Sequence, residues 1–246
     1  MEQLSEDFVF SCIQPRAQES HKGSYGHVLL AAGSRRYRGA ANLAAEGALR
    51  SGAGIVTLAA IEPVIAAAAA RLPECCLLPC PKGADGGISA GAAAELLAAR
   101  EKAGVLLMGP GMGNTSDTRA LVRALVDGAA CTVVLDADGL NAAAALLAAG
   151  EALPRPAGSL ILTPHPGEMA RLTGLPVAEI EANRPGVAAQ YARAWGCTIV
   201  LKGHRTIVAA PDGRLWRNAT GNAGLARGGS GDVLAGMTAG LAACGL

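Results

Sequence analysis

Residues 132–148 read TVVLDADGLNAAAALLA: a four-residue apolar run, two carboxylates either side of an alanine, then an alanine-rich stretch. A short run with no polar face is what a strand covered on both sides requires. Alanine favours the helix that follows and lets it lie close to a sheet. The same unit recurs outward in both directions. Strands are predicted at 27–32, 55–60, 105–108, 132–135, 159–162 and 198–201, and helices at 40–51, 63–71, 90–102, 118–126, 139–148, 167–172, 184–195 and 232–243. Strand and helix in alternation build a parallel sheet joined by helical crossovers. Residues 206–210 and 214–218 flank Pro211-Asp212-Gly213 and break the alternation. That Asp-Gly turn predicts an antiparallel hairpin. The fold class is therefore α/β, a mostly parallel central sheet with a late antiparallel hairpin. With no long linker and no repeat, one domain is expected over 1–246.

Composition agrees. Of 246 residues, 51% are hydrophobic, which excludes a disordered chain. Lys plus Arg is 21 against 20 Asp plus Glu, a net charge of +1. That balance argues against a general polyanion binder such as a nucleic-acid-binding protein. It leaves a small phosphorylated ligand open. The seven cysteines have no regular spacing and form no CxxC pair, so a disulfide framework or zinc ribbon is not expected. Most are read as buried small hydrophobes. Cys75, Cys76 and Cys80 lie close enough to raise a metal site, but the same bland reading is preferred. The N-terminus lacks a signal-peptide core, and the apolar stretches are too short to span a bilayer. A soluble, cytoplasmic protein without membrane contact is expected.

In an open α/β sheet ligands bind beyond the carboxyl ends of the strands, so the loops after the strands carry the functional reading. Gly33 to Ala41 is a glycine turn leading into a helix whose first residues, including Ala40, are tiny. Gly109, Gly111 and Gly113 alternate after a strand but match neither a complete dinucleotide fingerprint nor a P-loop. They suggest a glycine lip on a pocket. Asp136 and Asp138 could hold Mg²⁺ through water, or Asp138 could simply cap a helix. His165 is clamped between Pro164 and Pro166, well placed to touch a ligand. Lys202, Gly203, His204, Arg205 and Thr206 can offer cationic, amide and hydroxyl contacts to a phosphate or ribose. The densest signal is 218–236, NATGNAGLARGGSGDVLAG, where Gly228, Gly229 and Gly231 run straight into an apolar helix. Free amides at a helix N-terminus make an anion site. Asp232 falls in the first turn, facing the same pocket or merely capping the helix.

Taken in order, HKGSYGHVLLAAGSRRYRGAA, VLDADGLN, LTPHPGEMARL, LKGHRTIVAAPDG and NATGNAGLARGGSGDVLAG resemble the successive motifs of the ADP-dependent NAD(P)H-hydrate dehydratases, a branch of the ribokinase-like superfamily. The likeness runs from about His21 to the C-terminus. Two departures stand out. Where the family usually reads N-T-G-N-P-G-M-A-T-G-G-T-G-D, this chain has Ala223, Leu225, Arg227 and Ser230 in place of Pro, Met, Thr and Thr, and Arg227 brings a cation to the motif. The family also usually continues past this end with further helical sequence.

The resemblance implies a ribokinase-like three-layer αβα sandwich. It implies a hydro-lyase that spends ADP, with Mg²⁺, to dehydrate the S-form of hydrated NADH or NADPH, releasing AMP and phosphate. Lys202, Gly203, His204, Arg205, Thr206 and Gly231 would touch the nucleotide. Ala40, Gly111, Gly113, His165 and Asp232 would line the hydrate side. Amides of Gly229, Ser230 and Gly231 would hold the transferring phosphoryl group, with Asp232 as proton acceptor. A homotetramer is implied too. Two other readings use the same residues: a ribokinase-like small-alcohol kinase of the hydroxyethylthiazole-kinase kind, and a nucleotide-binding protein without turnover.

Overall fold

A computed structural model of the chain describes residues 1–13 and 15–246. Among them, strands form at β1 (Glu2–Gln3), β2 (His27–Ala31), β3 (Ile55–Ile61), β4 (Cys76–Cys80), β5 (Val105–Met108), β6 (Thr132–Leu135), β7 (Leu160–Leu162), β8 (Thr198–Leu201), β9 (Ile207–Ala209) and β10 (Leu215–Arg217). They make one sheet in the order β1-β10-β9-β8-β7-β6-β5-β2-β3-β4. Pairing is parallel from β4 through to β8. The helices are α1 (Glu6–Cys12), α2 (Arg38–Arg50), α3 (Glu62–Arg71), α4 (Ala93–Arg100), α5 (Ser116–Val126), α6 (Asp138–Ala148), α7 (Pro166–Thr173), α8 (Val177–Ala182), α9 (Arg184–Trp195) and α10 (Ser230–Ala243). The layer α3–α2–α10 and the succession α4 to α9 flank the sheet on its two faces.

Several expectations need correction. Not only do β9 and β10 form the expected antiparallel hairpin, β8 and β9 are antiparallel as well, so β8, β9 and β10 make a meander, with β1 parallel to β10 at the edge. The strand β4 was not expected, and neither were β1, α1 and α8. The helix expected over 90–102 opens as a 3₁₀ turn, Ala90–Ala92, before α4.

Strand order reverses at β2. Val28 is in register with Val56 of β3 on one side and Val105 of β5 on the other. The gap beyond the carboxyl ends of β2 and β5 is the topological switch point, where an open sheet offers a ligand crevice. The strands there are sealed: Val28, Leu29, Leu30, Leu106, Leu107 and Met108 are fully buried.

One helix pair aims at that crevice. Along the α2–α10 contact alanine meets glycine, and the two backbones touch. A Cβ on Gly236 would collide with the Ala44 carbonyl oxygen, and one on Gly240 would stand 2.5 Å from that of Ala48. Locked this way, α10 lies over β2, β5 and β6, and its N-terminal turn meets Leu43 of α2 and the carboxylate after β6.

Candidate active site

The first turn of α10 is built from small residues for a reason. Its N-cap is Gly229, at φ 91, with no side chain to satisfy the turn's amides. A Cβ there would sit 2.6 Å from Leu43 Cδ1. The opening amides of a helix have no partner within it, so Ser230, Gly231 and Asp232 present uncapped N–H groups at the positive end of the helix dipole. Asp232 is the third helical residue and is not the N-cap.

No hydrogen bond from the described residues reaches the Asp232 carboxylate. Its pKa is pushed up to about 6, first by burial, then by the negative charge of Asp136, with Asp138 adding and Lys202 opposing. A carboxyl held near the working pH is mostly ionised at neutrality yet basic enough to accept a proton.

Beside it lies a buried charged chain. Asp136, 1% exposed at the end of β6, accepts hydrogen bonds from Lys202 Nζ at 2.6 Å and Thr163 Oγ1 at 2.7 Å. Lys202 Nζ is also 3.6 Å from Glu168 Oε2. A Cβ on Gly231 would stand 3.7 Å from Lys202 Nζ and 3.9 Å from Asp136 Oδ2. The pair therefore sits against the turn that carries Asp232. Glu168 and Asp136 were not expected as site residues in this role. Asp136 and Lys202 are 66 positions apart, and only the burial of a carboxylate at a strand end hints at it.

His165 turns out to have a structural task. It is the N-cap of α7, with Nδ1 accepting from Gly167 N–H at 3.0 Å and Glu168 N–H at 3.4 Å, while Glu168 Oε2 accepts from His165 N–H at 2.8 Å. This reciprocal capping box assigns the remaining ring proton to Nε2, on the half-exposed side of the ring, 3.4 Å from Glu168 Oε1.

The other lip is glycine against alanine. Gly111, at φ 65, has no room for a Cβ, which would meet Ala40 Cβ at 2.8 Å and Tyr37 Cβ at 2.7 Å. Ala40 and Gly111 are thus brought together. Gly113 N–H donates to Asp138 Oδ2 at 2.7 Å, and Asn141 Nδ2 to Asp138 Oδ1 at 3.2 Å. Asp138 is the first residue of α6, not its cap; the cap position is Ala137, at φ 47. Across the site, Lys202 alone of the 202–206 loop enters the buried cluster. Gly203, His204 and Arg205 are exposed, and Thr206 Oγ1 donates to the Gly203 carbonyl at 3.1 Å.

Among the described residues no group of three or more His, Cys, Asp or Glu could hold a metal ion. Asp136 Oδ1 accepts from Lys202 and Thr163, and Asp138 accepts from Gly113 and Asn141. Cys75, Cys80 and Cys197 are buried, and burial pushes their thiols up to about 11, 11 and 12. Cys12 and Cys76 are exposed, so burial is not the rule the composition suggested. No helix among the described residues is long and apolar enough to cross a membrane.

Comparison with known proteins gives the family. The chain is 40% identical over 240 residues to the ADP-dependent (S)-NAD(P)H-hydrate dehydratase of Bacillus subtilis, covering 98% of this chain and 80% of that protein. It is 44% identical over 233 residues to the bifunctional NAD(P)H-hydrate repair enzyme Nnr of Moorella thermoacetica, covering 94% of this chain and 43% of the relative, so it spans less than half of that longer protein. A crystal structure of the ADP/ATP-dependent NAD(P)H-hydrate dehydratase from Bacillus subtilis, co-crystallized with ATP/Mg²⁺, superposes with a TM-score of 0.84 at 38% identity, over 99% of this chain and 81% of that one. The architecture is the ribokinase-like one. Residues 28–246 match the NAD(P)H-hydrate dehydratase family, and the chain belongs to that family.

Proposed function

We propose that this chain is a hydro-lyase that uses ADP to dehydrate the S-form of NADH or NADPH hydrate, restoring the reduced cofactor and releasing AMP and phosphate. The observation that carries the reading is the position of Asp232: a half-buried carboxyl in the first turn of α10, whose opening amides have no side-chain cap. The substrates and the donor follow from the relatives' names. Nothing in the 202–206 loop separates ADP from ATP.

The chemistry then runs as two bond exchanges. The hydroxyl oxygen on C6 of the hydrate attacks the terminal phosphorus of ADP, its proton passes to Asp232, and the bond to AMP breaks. The C6–O bond of the phosphate ester then breaks, the adjacent ring carbon gives up its proton to the departing phosphate, and the ring double bond returns. Amides of Gly229, Ser230 and Gly231 hold the phosphoryl oxygens as charge moves through them. Lys202, anchored by Asp136, supplies fixed positive charge beside Gly231. Lys202, Gly203, His204, Arg205, Thr206 and Gly231 face the nucleotide, and Ala40, Gly111, Gly113 and His165 the hydrate. Mg²⁺ bound with the nucleotide would supply neutralisation of phosphate charge and would need few protein ligands.

Incubation with NADH hydrate and ADP tests the reading. Recovery of dihydronicotinamide absorbance with equal AMP and phosphate supports it. A stable phosphate ester instead would make the chain a small-alcohol kinase, and nucleotide binding without product would make it non-catalytic. A cytoplasmic homotetramer belongs to the same proposal, and sedimentation of the purified protein checks the assembly.

A further inference from the structure

Arg184 opens α9, and nothing in the helix asks for it there. A cation at a helix N-terminus opposes the macrodipole, and the turn is already capped by Asn183, whose Oδ1 accepts from Gly186 N–H at 3.1 Å, with Pro185 behind it. Among the described residues no carboxylate lies within ion-pair distance of its guanidinium, and its Nε is buried without a partner. The group spends its other donors on one segment. Nη1 donates to the His204 carbonyl at 2.7 Å, and Nη2 to the carbonyls of Leu201 at 3.3 Å and Arg205 at 3.2 Å.

Those three carbonyls bracket the whole 202–206 turn. The turn itself is held in an unfavourable shape. Arg205 has φ 58, a left-handed conformation that few side chains adopt, and Gly203 has φ 149. A Cβ on Gly203 would stand 3.0 Å from Arg184 Cζ, so the guanidinium packs against the loop as well as bonding to it. A planar fork reaching three carbonyls of one turn fixes its shape in a way a lysine cannot.

We infer that Arg184 is a positioning residue for the nucleotide: it clamps the 202–206 turn from beneath, in the shape that receives the ADP phosphates and ribose. The inference rests on the reading of that turn as the nucleotide loop. Arg184 itself need not touch the ligand; it acts through the turn, removing the ordering that binding would otherwise require.

Three measurements on the intact protein test it and separate it from the reading beneath it. Hydrogen exchange of the wild type with and without ADP asks whether the 202–206 amides gain protection. Calorimetric ADP binding to Arg184→Ala and Arg184→Lys asks whether the fork matters, and steady-state kinetics gives the KM for each substrate. Both variants are expected to bind ADP about 10-fold more weakly, with KM for hydrate unchanged, because lost preorganisation falls on the nucleotide alone. Added guanidinium should restore ADP binding to Arg184→Ala. If ADP protects the turn but both variants bind it normally, Arg184 is merely structural and the inference fails alone. If ADP leaves the turn unprotected, the loop reading fails and takes the inference with it. Should Arg184→Ala not fold, Arg184→Lys carries the test: wild-type ADP affinity in that variant overturns the clamp.

Discussion

Lys202 and Asp136 form a 2.6 Å ion pair in which the carboxylate is 1% exposed and the ammonium side chain 18%. A pair this buried is expensive to break, because removing one partner strands the other's charge in low dielectric. Lys202→Met should therefore destabilise the fold by about 3 kcal/mol, in addition to weakening ADP binding. Chemical denaturation of the variant measures the first effect and calorimetry the second. A stability change near zero would mean that Asp136 finds water or another donor.

Asp136 also acts on Asp232. Its negative charge is the second cause, after burial, of the raised Asp232 pKa. The acidic limb of the kcat/KM profile should accordingly fall near pH 6, with activity lost as pH drops through it and Asp232 takes up a proton. In Asp136→Asn that limb should move to lower pH. A limb that stays in place would place the titrating group elsewhere.

The same carboxyl links to stability with the opposite sign from a salt-bridged aspartate. Its folded pKa, about 6, exceeds the ordinary value of 3.8, so between those pH values the folded state holds a proton that the unfolded chain has released. Its contribution to stability falls as pH rises through that window and is unfavourable above it. For a group this exposed, solvent screening reduces the penalty to about 1 kcal/mol. Asp232→Asn should then melt slightly higher than wild type at neutral pH, with no gain at pH 4. A lower melting temperature at neutral pH would contradict the burial account.

His165 caps α7, and two variants separate that role from the proposed contact with the hydrate. His165→Ala removes an N-cap, which costs about 1 kcal/mol, and should also raise KM for hydrate. Asn is a good N-cap, so His165→Asn should restore the melting temperature while leaving the KM raised. If KM returns with stability, His165 is a cap only.

The paired helices offer a packing test. Gly236→Val would drive a side chain into the Ala44 carbonyl, and overpacking of this kind costs about 1–3 kcal/mol. Because α10 carries Asp232, activity per folded molecule should fall too. A fully active, equally stable variant would show that the helices can separate.

What was legible in the chain follows from where the information lies. The strands of the buried centre announce themselves because nothing polar interrupts them. The strand β4 hid because Pro79 sits inside it, and proline reads as a break; it is tolerated here because β4 is an edge strand, paired only with β3. The two-residue β1 and the six-residue α8 are too short for periodicity to register. Of the site, the glycine-to-helix run and Asp232 were readable because a helix N-terminus is local. The capping role of His165 was concealed by its prolines, although Glu168 three residues on is a capping-box signal. The pairs Lys202–Asp136 and Arg184 with the 202–206 turn join distant segments, and only the sheet order brings them together.

The proposed role of Asp232 as proton acceptor is tested most directly by the kcat of Asp232→Asn with NADH hydrate and ADP. The variant keeps the side chain's shape and leaves Gly229, Ser230, Gly231 and Lys202 in place, so ADP should still bind. Loss of a general base lowers rate by about 10²–10⁴-fold, and a fall in that range is the result predicted. A kcat equal to wild type, in a folded protein that still binds ADP, would contradict it.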